Sequence, residues 1–293
     1  MGIAARLAAY ACALALVFGL AWATGRLVHR AQIPAGAAPE VMVTAPSDAD
    51  SAGATDGLSS AAGGYRLAVA DPTFVPGTPR ELRFTVLGPE GTPVTAFAAT
   101  GRDPRPLHAV VVRRDAAGFQ RLDPTMDTDG TWRMPLTLPA PGVWRAYVDM
   151  TPMAGPTLVL GTDLFAAGSF DPFTFPPSRT DQIDDFQLRL DGDLVPGVPS
   201  QVFATVSRDG EGVTDLQPYL GGFGKLVVLR EGDLAYTTAT AGNGANPAPT
   251  DRAGPAVAFT ANVPSAGTYR LFLQFRVADV MHTAEFTVPT RNP

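Results

Sequence analysis

The chain says one thing twice. Phe74-Val75-Pro76-Gly77 returns as Leu194-Val195-Pro196-Gly197, and Glu81 to Val86 returns as Gln201 to Val206. Val94-Thr95 matches Val213-Thr214, and His108 to Val112 matches Gly224 to Val228. Leu138-Pro139-Ala140-Pro141-Gly142-Val143-Trp144-Arg145 matches Val263-Pro264-Ser265-Ala266-Gly267-Thr268-Tyr269-Arg270. Order is kept throughout, at an offset that drifts only between about 116 and 125 positions. A repeat of this size means two copies of one structural unit.

Within each copy, short alternating apolar runs such as ELRFTVL, TWRMPLTL and VWRAYVDM are separated by Gly, Pro and Asp. That grammar predicts strands, and about seven of them in ~100 residues predicts an immunoglobulin-like β-sandwich. The expected fold is therefore all-β: two tandem immunoglobulin-like sandwiches at 65–167 and 185–290, joined by an inter-domain linker at 168–184. Trp144 and Tyr269 alternate with Arg145 and Arg270. Period-two alternation puts the aromatics in the core and the arginines outside.

Leu7 to Ala23 carries no charge or proline. Such a run is near the lower limit for spanning a bilayer and long for a cleaved signal. The expectation is a cytoplasmic N-terminus at 1–6, a transmembrane signal-anchor at 7–28 and a disordered linker at 29–64. The bulk of the chain then lies outside the cell membrane. Ala21-Trp22-Ala23 also fits a cleavage pattern, and cleavage after Ala23 would secrete the protein. Cys12, the single cysteine, sits inside the run and reads as a membrane-buried apolar residue.

The rest of the chain therefore has no disulfide and no thiol nucleophile. A net charge of −6 gives no basic footprint for nucleic acid. No nucleophile elbow, phosphate loop or HExxH occurs. Gly221-Gly222-Phe223-Gly224 leads into a strand rather than a helix, which disfavours a phosphate cradle. Asp127-Thr128-Asp129-Gly130 lacks the further oxygen ligands of a calcium loop and reads as a hairpin turn. Met150 and Met153 could offer Cu(I) soft thioether ligands, but read better as packing residues at a strand end. These features point away from an enzyme.

The stretches Pro106–Trp132, Val213–Tyr236, Ser265–Phe275 and His282–Val288 resemble an uncharacterised actinobacterial family of signal-anchored extracytoplasmic proteins with two immunoglobulin-like domains, to which a copper or heavy-metal association is ascribed. In such proteins histidines stand where this chain has Arg121, Asp123, Lys225, Thr238 and Thr240. Only His108 and His282 remain of that pattern. The resemblance implies the architecture; with five imidazoles gone it does not carry the metal over. The expectation is a non-catalytic, membrane-anchored protein that binds an unknown envelope protein or ligand, with no cofactor. Its interaction candidates are Arg121, Asp123, Lys225, Thr238 and Thr240, with Arg121, Asp123 and Lys225 close enough to pair across the repeats. The alternative is a degenerate copper- or zinc-handling protein relying on His108 and His282.

Overall fold

The computed structural model describes residues 56–99, 105–242 and 246–291. The anchor expected at 7–28 lies outside them. Among the described residues no helix is long and apolar enough to cross a membrane. They contain only strands, turns and irregular segments.

The first copy contains β1 (Ala61–Ala62), β2 (Tyr65–Val69), β3 (Thr73–Phe74), β4 (Arg80–Leu87), β5 (Leu107–Arg113), β6 (Gln120–Leu122), β7 (Thr125–Met126), β8 (Thr131–Leu136), β9 (Gly142–Met150) and β10 (Leu158–Ala166). One sheet runs β1-β2-β4-β8-β7 and the other β3-β10-β9-β5-β6. All pairs are antiparallel except β3 with β10. The second copy contains β11 (Thr180–Ile183), β12 (Phe186–Asp191), β13 (Pro199–Arg208), β14 (Glu211–Gly212), β15 (Lys225–Arg230), β16 (Tyr236–Ala241), β17 (Ala256–Asn262), β18 (Thr268–Val277) and β19 (Val280–Pro289). Here β16 pairs with both β15 and β17, so the two faces join in one sheet, β11-β12-β13-β17-β16-β15-β18-β19, with β14 beside β13.

The repeat holds at single hydrogen bonds. Gly77 N–H donates to Leu138 O, and Gly197 N–H to Val263 O, both at 2.8 Å. At the corner entering β9, Trp144 Nε1 donates to Ala140 O at 3.0 Å; at the corner entering β18, Tyr269 Oη donates to Ser265 O at 2.8 Å. Two different aromatics make the same four-residue back-bond. The second has the geometry of a tyrosine corner, which ties the start of a sandwich strand to the preceding turn. The Asp127–Gly130 segment is a hairpin turn, with Gly130 N–H donating to Asp127 O.

Each copy has its own core. Phe84, Trp132 and Trp144 anchor the first, and Phe259, Tyr269 and Phe286 the second. A third apolar cluster takes residues from both copies, among them Val110, Tyr147, Val159, Val227, Tyr236 and Phe272. The sheet carrying β5 and β9 thus packs on the face carrying β15 and β18, and these strands are buried on both sides. β5 is buried at every position, without the alternation seen in β4.

Three sequence expectations are revised. Arg145 and Arg270 do leave the core side, but the face they enter is covered, and they are only 7% and 3% exposed. Arg145 donates to Gly57 O and Asp163, while Arg270 meets Glu285, Thr287 and the ring of Phe175. Second, ordered structure begins before Gly64. Tyr236 N–H donates to Asp56 O at 2.7 Å and Gly161 N–H to Ser59 O at 2.9 Å, and β1 follows. Residues 56–60 form a strap bonded to both sandwiches. Third, His108 corresponds to Lys225, not Gly224. His108 stands opposite Asp149 and Lys225 opposite Gln274, at matching points of the two ladders. A one-residue slip exchanges the faces of a strand, and only this register leaves Ala109 and Leu226 both in their cores.

Candidate functional site

The contact between the copies is reciprocal. Phe119, just before β6, stacks on Phe272 of β18, with centroids 4.3 Å apart and planes at 10°. Tyr236, the first residue of β16, lies 5.4 Å from Tyr147 of β9. Phe119 and Tyr236 occupy equivalent places in the repeat, as do Tyr147 and Phe272. The seam is therefore isologous, as in a two-fold dimer, but within one chain. Tyr147 Oη adds a bond of 2.5 Å to Leu234 O, and Arg114 Nη1 one of 3.3 Å to Asp233 O.

Along the seam-facing positions of β5 and β9 the chemistry turns from apolar to polar: Val110 and Tyr147 give way to His108 and Asp149. On β15 and β18, Val227 and Phe272 give way to Lys225 and Gln274. His108 and Gln274 are buried, while Lys225 and Asp149 are partly so. Arg121 joins them from β6, where it pairs with Val110.

Electrostatics link these groups. Burial pushes the Asp149 carboxyl above its ordinary value, and the charges of Lys225 and Arg121 act against that shift. Burial also raises the Tyr236 phenol, with Asp149 adding to the shift and Arg121 opposing it. The three side-chain nitrogens of Arg121 are buried without a hydrogen-bond partner among the described residues. The seam thus ends in a carboxylate facing cations contributed by both copies.

Of the sequence candidates, the structure brings Arg121 and Lys225 to this cluster. Asp123 pairs instead with Arg105 at 2.5 Å, and Arg105 lies 5.9 Å over the ring of Tyr219. Thr238 is opposite Val227 in the ladder. Thr240 is exposed and paired with Thr260. The carboxylate at the centre, Asp149, was not singled out from sequence, although a lone acid in an otherwise apolar, aromatic and Arg-bearing strand is a signal for it.

The two retained histidines serve different places. His108 faces the seam. His282 turns toward the second core, stacks on Phe275 and Phe186, and shares a 2.7 Å hydrogen bond between Nδ1 and Asp184. Met150 is buried and Met153 is 66% exposed, so they do not form a pair of thioether ligands. Among the described residues no three His, Cys, Asp or Glu side chains converge. At this end of the seam, Lys225 and Arg121 crowd the Asp149 carboxylate and the His108 imidazole. That donor set does not fit a divalent metal, which needs three or four convergent ligands and is repelled by neighbouring positive charge.

Comparison with known proteins adds the following. Residues 181–292, the second sandwich, match a family described as a domain of unknown function, DUF8832. No curated protein matches. Solved structures similar in part include FdeC, an Escherichia coli adhesin, at 16% identity, covering 79% of this chain and 65% of that one, with a TM-score of 0.25. InvD of Yersinia pseudotuberculosis gives 14%, 78%, 58% and 0.26, and the D0-D1 domain of intimin 11%, 76%, 97% and 0.20. The chain thus spans less than two thirds of the first two. At these scores the likenesses carry no argument about function. The matched family has no assigned activity, so the metal association implied by sequence resemblance rests on the residues alone.

Asp149 yields a direct expectation. A carboxyl raised by folding contributes stability that is fully present below its unfolded value near 3.8 and lost as pH rises through the folded value. Asp149→Asn keeps the neutral form at all pH. Its urea midpoint should exceed the parent's at pH 7 and coincide with it near pH 3. A lower midpoint at pH 7 would mean that the attraction of Lys225 and Arg121 outweighs desolvation.

Proposed function

We propose that the protein is a non-catalytic binding protein of the cell envelope, anchored by its N-terminal apolar segment and displayed outside the cytoplasmic membrane. The observation that supports this best is the reciprocal seam. It packs the two sandwiches on each other, and the strap at 56–60 bonds to both. An extracytoplasmic location also suits a fold with no thiol to protect. Protease added to intact cells should digest the protein, which should sediment with membranes. Protection from protease, or recovery in the soluble cytoplasmic fraction, would reject the reading.

The same reading holds that the sandwiches retain no transition metal. Calorimetric titration with Zn²⁺, Cu²⁺ and reductively maintained Cu⁺ should give no sub-micromolar, stoichiometric binding. Such binding, abolished by His108→Ala, would restore metal handling.

A further inference from the structure

The second sandwich carries a polar groove outside its cores. Ser178 and Thr287 exchange backbone bonds of 2.9 and 3.0 Å, which draws the linker and β11 alongside β19. Beyond that bridge β11 and β19 share no ladder. The Asp181 carboxylate instead accepts from the Glu285 N–H at 2.8 Å. A hollow of about 410 Å³ opens there, walled by Phe175 and Pro176. On the other side of β11 lies a second hollow of about 650 Å³, reaching Gln187, Arg189, Thr205 and Ser207. Thr180, Asp181 and Gln182 line both, so the two hollows adjoin across β11.

The inner end of the groove is built rather than incidental. Arg270 is 3% exposed, donates to Thr287 Oγ1 at 2.8 Å, pairs with Glu285 and has the ring of Phe175 centred 3.7 Å from its guanidinium. Its Nε has no hydrogen-bond partner among the described residues. The pair is only half-buried, with the Glu285 side chain 35% exposed toward the hollow. Held rigidly at the edge of an open hollow, it is a preorganised polar surface.

We propose that this groove binds a neutral oligosaccharide, an inference that rests on the binding reading above and names its ligand class. Hydroxyls, amides, carboxylates and guanidiniums alternate along the lining, and each sugar hydroxyl both donates and accepts. The charged groups of the lining are Asp181 and Glu285 against Arg189 and Arg270, which balance and so select neither a polyanion nor a polycation. An extended peptide is disfavoured, since Asp181 and Ser178 already occupy the β19 backbone groups that strand addition would use.

The test is binding of the full-length chain to an array of neutral oligosaccharides with gluco-, manno-, galacto- and arabino-configured backbones, beside heparin hexasaccharide and an unrelated extended peptide. At least one neutral backbone should bind. Gln182→Ala with Gln187→Ala, both at exposed positions, should leave the melting temperature unchanged and weaken binding about tenfold, as expected for a pair of lost hydrogen bonds. Arg189→Ala should weaken it as well. A blank array, binding confined to heparin or the peptide, or neutral-sugar binding indifferent to all three substitutions would each overturn the proposal. The protease-accessibility experiment is independent of these outcomes, so a failed groove leaves the envelope reading standing.

Discussion

Gly161→Ala should cost about 2–4 kcal/mol of stability, the sum of an overpacked site and the loss of buried hydrogen bonds. Gly161 sits in β10 with ordinary strand geometry, so no unusual backbone angle demands glycine there. What demands it is the strap. A β-carbon at 161 would stand 2.0 Å from Gly57 O and 2.9 Å from Arg145 Nε. The strap cannot retreat, because Gly57 is itself wedged: its φ is +67°, and a β-carbon there would lie 2.5 Å from the Tyr147 ring. The methyl must therefore expel residues 56–60. That frees Gly161 N–H from Ser59 O, Tyr236 N–H from Asp56 O and the Arg145 guanidinium from Gly57 O. The same substitution in a chain beginning at Ala61 meets only the Arg145 guanidinium, the far end of a flexible side chain that no longer has Gly57 O to hold it. There it should be neutral or stabilising by up to ~1 kcal/mol, because alanine loses less backbone freedom than glycine in a strand. Urea denaturation of the four proteins closes a double-mutant cycle. Equal costs with and without the strap would show that something else fills the space above Gly161.

Much of this architecture was legible in the sequence, and what was missed has physical causes. β4 shows its two faces plainly, because Leu82, Phe84 and Val86 go inward while their neighbours meet water. Patterning of that kind specifies both strand and register. β5 and β15 offer no such guide: HAVVV and LVVL are apolar at almost every position, so the sequence says strand but not phase. Hence the one-residue slip that matched His108 with Gly224. The same runs held the clue to the seam, since a strand apolar on both faces needs cover on both. Arg145 and Arg270 misled for a related reason. Alternation fixes which side a residue takes, but not what lies on that side. At the candidate site, the family resemblance pointed to Arg121 and Lys225, and both act on one carboxyl group. Their acidic partner was Asp149 and not Asp123, a choice set by packing between β9 and β15 that no local pattern encodes.

Phe272→Ala tests the seam itself and should cost about 3–5 kcal/mol, the range for removing a fully buried aromatic. Phe272 has no exposed surface, yet it belongs to neither sandwich core. Its ring lies flat on Phe119, and the guanidinium of Arg270 is 5.3 Å from its face. Truncation removes one of the two reciprocal aromatic contacts and leaves only the Tyr147–Tyr236 pair. Because each sandwich keeps an intact core of its own, the loss should fall on cooperativity as well as on midpoint. The parent should unfold in one transition. Phe272→Ala should unfold in two, as the sandwiches cease to stabilise one another. In a Phe119→Ala background the further cost of Phe272→Ala should shrink, since the partner ring is already gone and contacting residues do not add. A single transition displaced by less than ~1 kcal/mol would mean that the seam is a loose contact, with the apolar surface it hides contributing far less than burial of that kind ordinarily does.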